Sequence, residues 1–127
     1  AAAPGSAATS PVANSSPLEL KVSTLGAPSL DAARKATVTV FAGSGHGSGF
    51  IVSPDGYVLT NEHVVREARF VTVRLSNGRE TVGDVVRVDS PRDVAVIRLR
   101  EQNLPAVRMA ENFQPPIGSD VYAIGTP

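Results

Sequence analysis

Two side chains that could exchange a proton stand at the ends of apolar, β-rich runs. His63 comes three positions after the run Tyr57–Thr60, and Asp93 stands directly before the run Val94–Leu99. The end of a strand suits a reactive side chain, because the sheet fixes the backbone while the tip faces a cleft. A histidine and an aspartate in these positions indicate the base and the orienting acid of a nucleophilic hydrolase.

Other residues offer weaker versions of the same chemistry. Asp89 is the competing acid, but only Asp93 directly precedes an apolar run. His46 lies in a glycine-rich stretch and is expected at the surface. Ser48, between two glycines, superficially fits a nucleophile loop, yet its place before a strand favours a structural role. The sequence after His63 contains no serine in the usual nucleophile setting.

The remaining pattern is typical of a protein built from short strands. Strands are predicted at residues 37–41, 50–52, 57–60, 70–75, 79–88 and 94–99. The segments Pro54-Asp55-Gly56 and Asn77-Gly78 are typical of the tight turns that join antiparallel strands. Six short strands with turns at this spacing favour a closed antiparallel barrel, which leaves no free sheet edge.

Shorter features complete the prediction. Ser29 is a candidate N-cap for one or two helical turns that end near Lys35. A further helical turn is predicted at residues 64–68, and residues 43–49 are interpreted as a glycine-rich connector. Residues 121–124 are predicted to form another strand.

Composition limits the classes of function. The 127 residues suffice for one domain with a real core, and the formal net charge of zero gives no electrostatic reason to expect nucleic acid or an anionic membrane as partner. Most arginines lie among acids between Arg66 and Arg100 and are interpreted as solvated strand faces. The chain has no cysteine, and its two histidines are too few and its acids too scattered to predict a metal site. No apolar run approaches the ~18 residues of a membrane span.

Four ordered segments resemble the HtrA (Deg) family of trypsin-like serine proteases. The catalytic-histidine segment is similar to residues 47–52 (GSGFIV) and 55–65 (DGYVLTNEHVV), the aspartate segment to residues 93–97 (DVAVI), and the start of the second barrel to residues 118–127 (GSDVYAIGTP). Val64 replaces the cysteine that follows the histidine in disulfide-bonded trypsins, which agrees with the cysteine-free bacterial and organellar branch. The short stretch 43–49 lacks the long loop that some members use to build cages.

The resemblance implies an all-β fold: a trypsin-like six-stranded antiparallel β-barrel, the first of two, with a short N-terminal helix and a truncated second barrel. Residues 1–28 would be a flexible linker rich in Ala, Ser and Pro, residues 29–103 the first barrel, and residues 104–127 the interdomain connector with the first strand of a missing second barrel. The serine nucleophile, the oxyanion hole, the specificity pocket and any PDZ domain would lie beyond Pro127.

The resemblance further implies that His63 is the general base and Asp93 its orienter, in an extracytoplasmic enzyme of the bacterial periplasm or cell envelope. Such an enzyme cleaves unfolded or exposed polypeptides without a cofactor or metal, and a homo-oligomer is left open. The 127 residues alone are expected to be inactive. Two alternatives remain: a non-catalytic module of the same fold that binds peptides or partners, and an assembly unit that pairs through the residues from Gly118 onward.

Overall fold

The computed structural model describes residues 30–110 and 114–125, which form two short helices and six strands. The helices are α1 (Leu30–Lys35) and α2 (Glu62–Val65). The strands are β1 (Thr37–Ala42), β2 (Gly45–Ile51), β3 (Tyr57–Thr60), β4 (Phe70–Arg74), β5 (Glu80–Asp89) and β6 (Val94–Leu99). The predicted linker 1–28 and the Ser29 cap lie outside the described residues, and the division at residue 103 stays a prediction.

The six strands close into one antiparallel barrel, as predicted. Their order around the barrel is β1-β2-β3-β6-β5-β4, so that β3 lies beside β6 although 33 residues separate their ends. Thr60, the last residue of β3, pairs with Ala95 at the start of β6. The closure therefore brings the chain leaving β3 next to the chain entering β6.

Alternating apolar residues fill the barrel. In β1 and β4 every second residue points inward, and the β-branched side chains of Val38, Val40, Val71 and Val73 are all buried. Further core residues come from the other elements: Ile51, Val58, Val65, Val85, Ile97 and Leu99. Each fully buried aliphatic side chain of this size stabilises the fold by about 1.5–3 kcal/mol relative to exposure.

The arginines between Arg66 and Arg100 are not buried, but only Arg74, Arg87 and Arg98 lie in strands; the others lie in the turns and loops beside them, so the predicted strand faces hold only in part. Arg74 forms an ion pair of 2.9 Å with Glu80 across β4 and β5, and Arg100 forms one of 2.8 Å with Asp84. The Arg74 guanidinium also lies 4.8 Å from the centroid of the Phe41 ring. Solvent screens exposed pairs of this kind, so they contribute little and the barrel depends mainly on its core.

The turn between β2 and β3 has the predicted Pro-Asp-Gly form. The Gly56 amide donates to the Ser53 carbonyl at 3.0 Å, and Gly56 adopts φ +105°. A Cβ on Gly56 would lie 2.9 Å from the Leu99 carbonyl oxygen. Both the conformation and the space at this turn therefore require glycine.

The interpretation of residues 43–49 as a connector is wrong. β2 begins at Gly45, so only Gly43 and Ser44 form the loop to β1. Glycine is disfavoured in strands, so the glycines of residues 45–49 did not indicate that β2 begins there. The structure gives the reason for Gly47: a Cβ there would lie 2.5 Å from Cγ2 of Val64. A glycine inside a strand marks such a close approach of a neighbour.

Gly47→Ala is expected to destabilise the chain by about 1–3 kcal/mol, the usual cost of overpacking. Val64 is β-branched and stiff, so relief requires a shift of α2, which carries His63. Gly45→Ala is the matched control, because its Cβ would meet only the Ala42 carbonyl oxygen at an ordinary 3.8 Å. Urea unfolding of both variants measures the difference, and equal stabilities would contradict the account.

Two more local predictions are wrong. α2 begins at Glu62 and ends at Val65, earlier than the predicted 64–68, because a carboxylate from elsewhere in the chain binds its first turn, as described below. Residues 121–125 form no strand. A strand needs a hydrogen-bonding neighbour, and the described residues offer none to this segment, whose Tyr122 side chain is exposed.

Candidate active site

The end of β3 places His63. The Thr60 hydroxyl is buried and donates to the Ser48 carbonyl at 2.8 Å, which ties the last residue of the strand to β2. The chain then turns at Asn61 into α2, where the Val64 amide donates to the Asn61 carbonyl at 3.1 Å. Val65 is 1% exposed and anchors α2 in the barrel core. His63 therefore stands on a short, fixed turn at the mouth of the barrel.

The start of β6 places Asp93. Its amide donates to the Ser90 carbonyl at 3.0 Å, which closes a turn after β5. Asp93 itself adopts φ +56°, in the left-handed region that aspartate tolerates better than most residues. The competing acid, Asp89, is engaged elsewhere: its carboxylate accepts from Arg92 Nη1 at 2.7 Å. The turn thus separates the two acids and directs only Asp93 toward α2.

His63 and Asp93 meet through two hydrogen bonds. The His63 backbone amide donates to Asp93 Oδ1 at 2.8 Å, and Nδ1 lies 2.7 Å from Oδ2. A carboxylate can only accept at neutral pH, so Nδ1 carries the proton in this pair. Nε2 on the far side of the ring is then the basic nitrogen, and the His63 side chain is 62% exposed. The arrangement is suited to taking a proton from a group that approaches Nε2.

The electrostatics favour an ionised Asp93. The backbone amide of His63, and then its side chain, hold the pKa of the Asp93 carboxyl below its ordinary value, and the Glu62 amide adds a smaller effect. Arg92 likewise lowers the pKa of Asp89. An anionic Asp93 is the form that fixes the His63 tautomer and stabilises an imidazolium.

Because its largest cause is a backbone group, the lowered pKa of Asp93 is expected to survive in part in a His63→Ala variant. Residue 63 keeps its amide donor, so the pKa should rise from the wild-type value but stay below the ordinary ~3.9. Titration of the Asp93 Cγ chemical shift by NMR measures both values. A wild-type midpoint at or above the ordinary value would contradict the geometry.

The sign of the effect on stability follows from the same shift. Asp93 binds a proton less readily in the folded than in the unfolded state, so its contribution is present above the unfolded pKa and is lost as the pH falls through the folded pKa. As the pH is lowered from about 4 to the folded pKa of Asp93, the free energy of unfolding should therefore fall less in the Asp93→Asn variant than in the wild type.

Two depressions flank the dyad. One, of about 530 Å³, is lined by His63, His46 and Glu67 among others. The other, of about 460 Å³, is lined mainly by apolar groups that include Phe50, Leu59 and Ile124. His46 is exposed, as expected, and its ring centroid lies 5.9 Å from that of Phe41.

Ser48 is part of β2 and binds Thr60 through its carbonyl, so it has a structural role rather than a place in a nucleophile loop. Among residues 30–110 and 114–125, no three His, Asp or Glu side chains group closely enough to hold a metal ion. In the same part of the chain, no helix is long and apolar enough to cross a membrane.

Sequence reasoning gave no role to Asn61. Its Nδ2 donates to the Asp93 backbone carbonyl at 3.0 Å, across 32 positions of the chain. The sequence showed only that Asn61, a residue type common at helix N-caps, stands just before Glu62 and His63. That signal predicts a local cap and not a contact with β6.

Comparison with known proteins identifies the family of this chain. The model of the trypsin-like peptidase domain family matches residues 47–127. Over 81 residues the chain is 46% identical to a probable periplasmic serine endoprotease, DegP-like, of Pseudomonas putida, and 43% identical to one of Halomonas elongata. Each alignment covers 64% of this chain and 17% of the relative.

Solved structures give the same result. The serine endoprotease from Yersinia pestis superposes with a TM-score of 0.65 at 36% identity, over 70% of this chain and 34% of that one. The HtrA-type protease AlgW with a tripeptide gives a TM-score of 0.58 at 36% identity, over 61% of this chain and 27% of that one. The chain belongs to the trypsin-like peptidase family, in its HtrA (DegP) branch. It spans about a sixth of the length of the DegP-like relatives.

Proposed function

We propose that this chain is the first barrel of an HtrA-type serine endopeptidase, in which His63 is the general base and Asp93 its orienter. The observation that carries the proposal is the double hydrogen bond, in which both Asp93 oxygens are used by His63 at 2.8 and 2.7 Å. This fixes the ring in the one tautomer that leaves Nε2 free to accept a proton.

The reaction is acyl transfer. A serine Oγ attacks the scissile carbonyl carbon while its proton passes to His63 Nε2, and Asp93 stabilises the imidazolium. The intermediate collapses, the C–N bond breaks, and Nε2 returns the proton to the leaving amine. A water molecule then attacks the acyl-enzyme and gives its proton to Nε2. The bond from the acyl carbon to serine Oγ breaks, Oγ takes the proton back, and the carboxylic acid product is released. No cofactor or ATP is needed for these steps.

The proposal places the nucleophile, the oxyanion hole and the specificity pocket beyond residue 127, in the length of the relatives that this chain does not cover. The 127 residues alone are then inactive, since losing the nucleophile costs roughly 10⁶-fold in rate. Polypeptides that are unfolded or expose a flexible segment are the proposed substrates, in protein quality control. The periplasm is the proposed location, because the relatives are named periplasmic.

The test compares two purified proteins: the product of the complete reading frame and the 127-residue chain. The complete product is expected to degrade an unfolded protein and to spare its folded form, while the short chain degrades neither. Peptide release is followed by mass spectrometry. A complete product that binds the unfolded protein without cleaving it would instead support a peptide-binding module. Homo-oligomerisation stays a prediction, which light scattering at several concentrations tests.

A further inference from the structure

Asn61 occupies a helix N-cap position without acting as a cap. It is extended, with φ −85° and ψ 145°, and its side chain makes no hydrogen bond to α2. An asparagine in this position usually accepts from the second or third amide of its helix. Here the second amide, that of His63, donates to Asp93 Oδ1 instead. The carboxylate of Asp93 has taken over the local role of the asparagine.

The displaced carboxamide is used for a second contact with the same residue. Asn61 Nδ2 donates to the Asp93 backbone carbonyl at 3.0 Å. The two segments are therefore joined by an exchange: Asp93 binds the first turn of α2, and the residue before α2 binds the backbone of Asp93. This exchange connects the ends of β3 and β6 independently of the imidazole.

The backbone contact bears on a residue in an uncommon conformation. Asp93 has a backbone φ of +56°, which residues other than glycine rarely adopt. The Ser90 carbonyl accepts its amide on one side, and Asn61 binds its carbonyl on the other. Since the direction of a side chain depends on its backbone dihedrals, fixing both peptide groups also fixes where the carboxylate points.

We propose that Asn61 is a positioning residue, which holds the Asp93 backbone so that its carboxylate meets both the amide and the Nδ1 of His63. The inference rests on the proposed function for its effect on catalysis, but not for its effect on geometry. Without the Nδ2 donor, the Asp93 carbonyl loses one restraint, and its peptide group can tilt. The bond from Nδ1–H to Oδ2 then becomes longer or is lost, and the ring is no longer held in one tautomer.

Asn61→Ser is the test variant, because serine is also a preferred N-cap, is neutral, and has a hydroxyl too close to its backbone to replace Nδ2. Asn61→Gln is the rescue variant, since it keeps the carboxamide on a longer side chain. Asn61 is exposed, so both variants are expected to fold, and thermal unfolding checks this.

The first readout uses the 127-residue chain labelled with ¹³C and ¹⁵N and needs no peptidase activity. In Asn61→Ser, the His63 Nδ1 proton is expected to exchange faster with water, and the pKa of Asp93 to rise toward its ordinary value. Asn61→Gln should restore part of both signals. Unchanged signals in a folded Asn61→Ser variant would overturn the proposal.

The second readout is the kinetics of the complete protein. Asn61→Ser is expected to lower kcat by about 10²-fold, the cost of a misplacement near 1 Å, with little change in KM. A rise in KM alone would overturn the proposal in favour of a substrate contact. If wild type and His63→Ala were equally inactive, the proposed function would fail, while the NMR signals would still decide whether Asn61 positions Asp93.

Discussion

Replacing His63 by alanine in the complete protein is expected to lower kcat by roughly 10⁶-fold, the loss seen when the base of a serine protease is removed. The variant keeps Asp93 and every substrate contact outside the imidazole, but it has no group to accept the serine proton. KM should therefore change little, because the interaction lost is made in the transition state. Initial rates on an unfolded protein, extended to long incubation times, measure the loss.

His46→Ala is the matched control for this experiment. His46 is the other histidine of the chain, lies in β2, and is exposed with its ring near Phe41. Its replacement is expected to leave kcat unchanged. Equal losses in the His46 and His63 variants would contradict a base role specific to His63, and would indicate that both changes act through the depression that the two residues share.

The second large effect is expected for Asp93→Asn, with a fall in kcat of roughly 10⁴-fold. The carboxylate accepts from two donors of His63, one at each oxygen. An amide has one oxygen, so it cannot accept from both. If its oxygen stays on the backbone amide of His63, its NH₂ group faces Nδ1 and selects the tautomer protonated on Nε2. That tautomer cannot act as the base.

Asp89→Asn is the control for Asp93→Asn. Asp89 is the last residue of β5, directly before the turn that carries Asp93, and has its own exposed partner in Arg92, at 2.7 Å. This change is expected to leave kcat as it is and to lower the stability only slightly, because solvent screens the exposed pair. Thermal unfolding of both variants separates the loss of a turn contact from the loss of the dyad. If Asp89→Asn reduced kcat as much as Asp93→Asn, the assignment of the two acids would be wrong.

The barrel was predictable because its strands combine two local signals. β-branched runs such as Val94–Leu99 and turn pairs such as Asn77-Gly78 are visible in any single sequence, and together they fix the number of strands. β2 could not be delimited in this way. Gly47 is required there by Val64 of a different element, and a contact of that kind leaves no periodic pattern.

The contact between His63 and Asp93 was predictable from the sequence, whereas the contacts that support it were not. Asp93 could be preferred to Asp89 because it directly precedes β6, and the structure brings only Asp93 to His63. The positive φ of Asp93 and the exchange of contacts with Asn61 arise from closure of the barrel between β3 and β6. Local propensity predicts a capping asparagine at this position, and the tertiary contact overrides that preference.

Covalent labelling by a fluorophosphonate probe tests the central claim most directly. In that reaction a P–O bond forms to serine Oγ, fluoride leaves, and the proton passes to His63 Nε2. The account predicts one labelled serine in the complete protein, located beyond residue 127 between glycines, no labelled serine in the 127-residue chain, and loss of labelling in His63→Ala. A complete protein without a labelled serine, or one labelled equally well in His63→Ala, would contradict it.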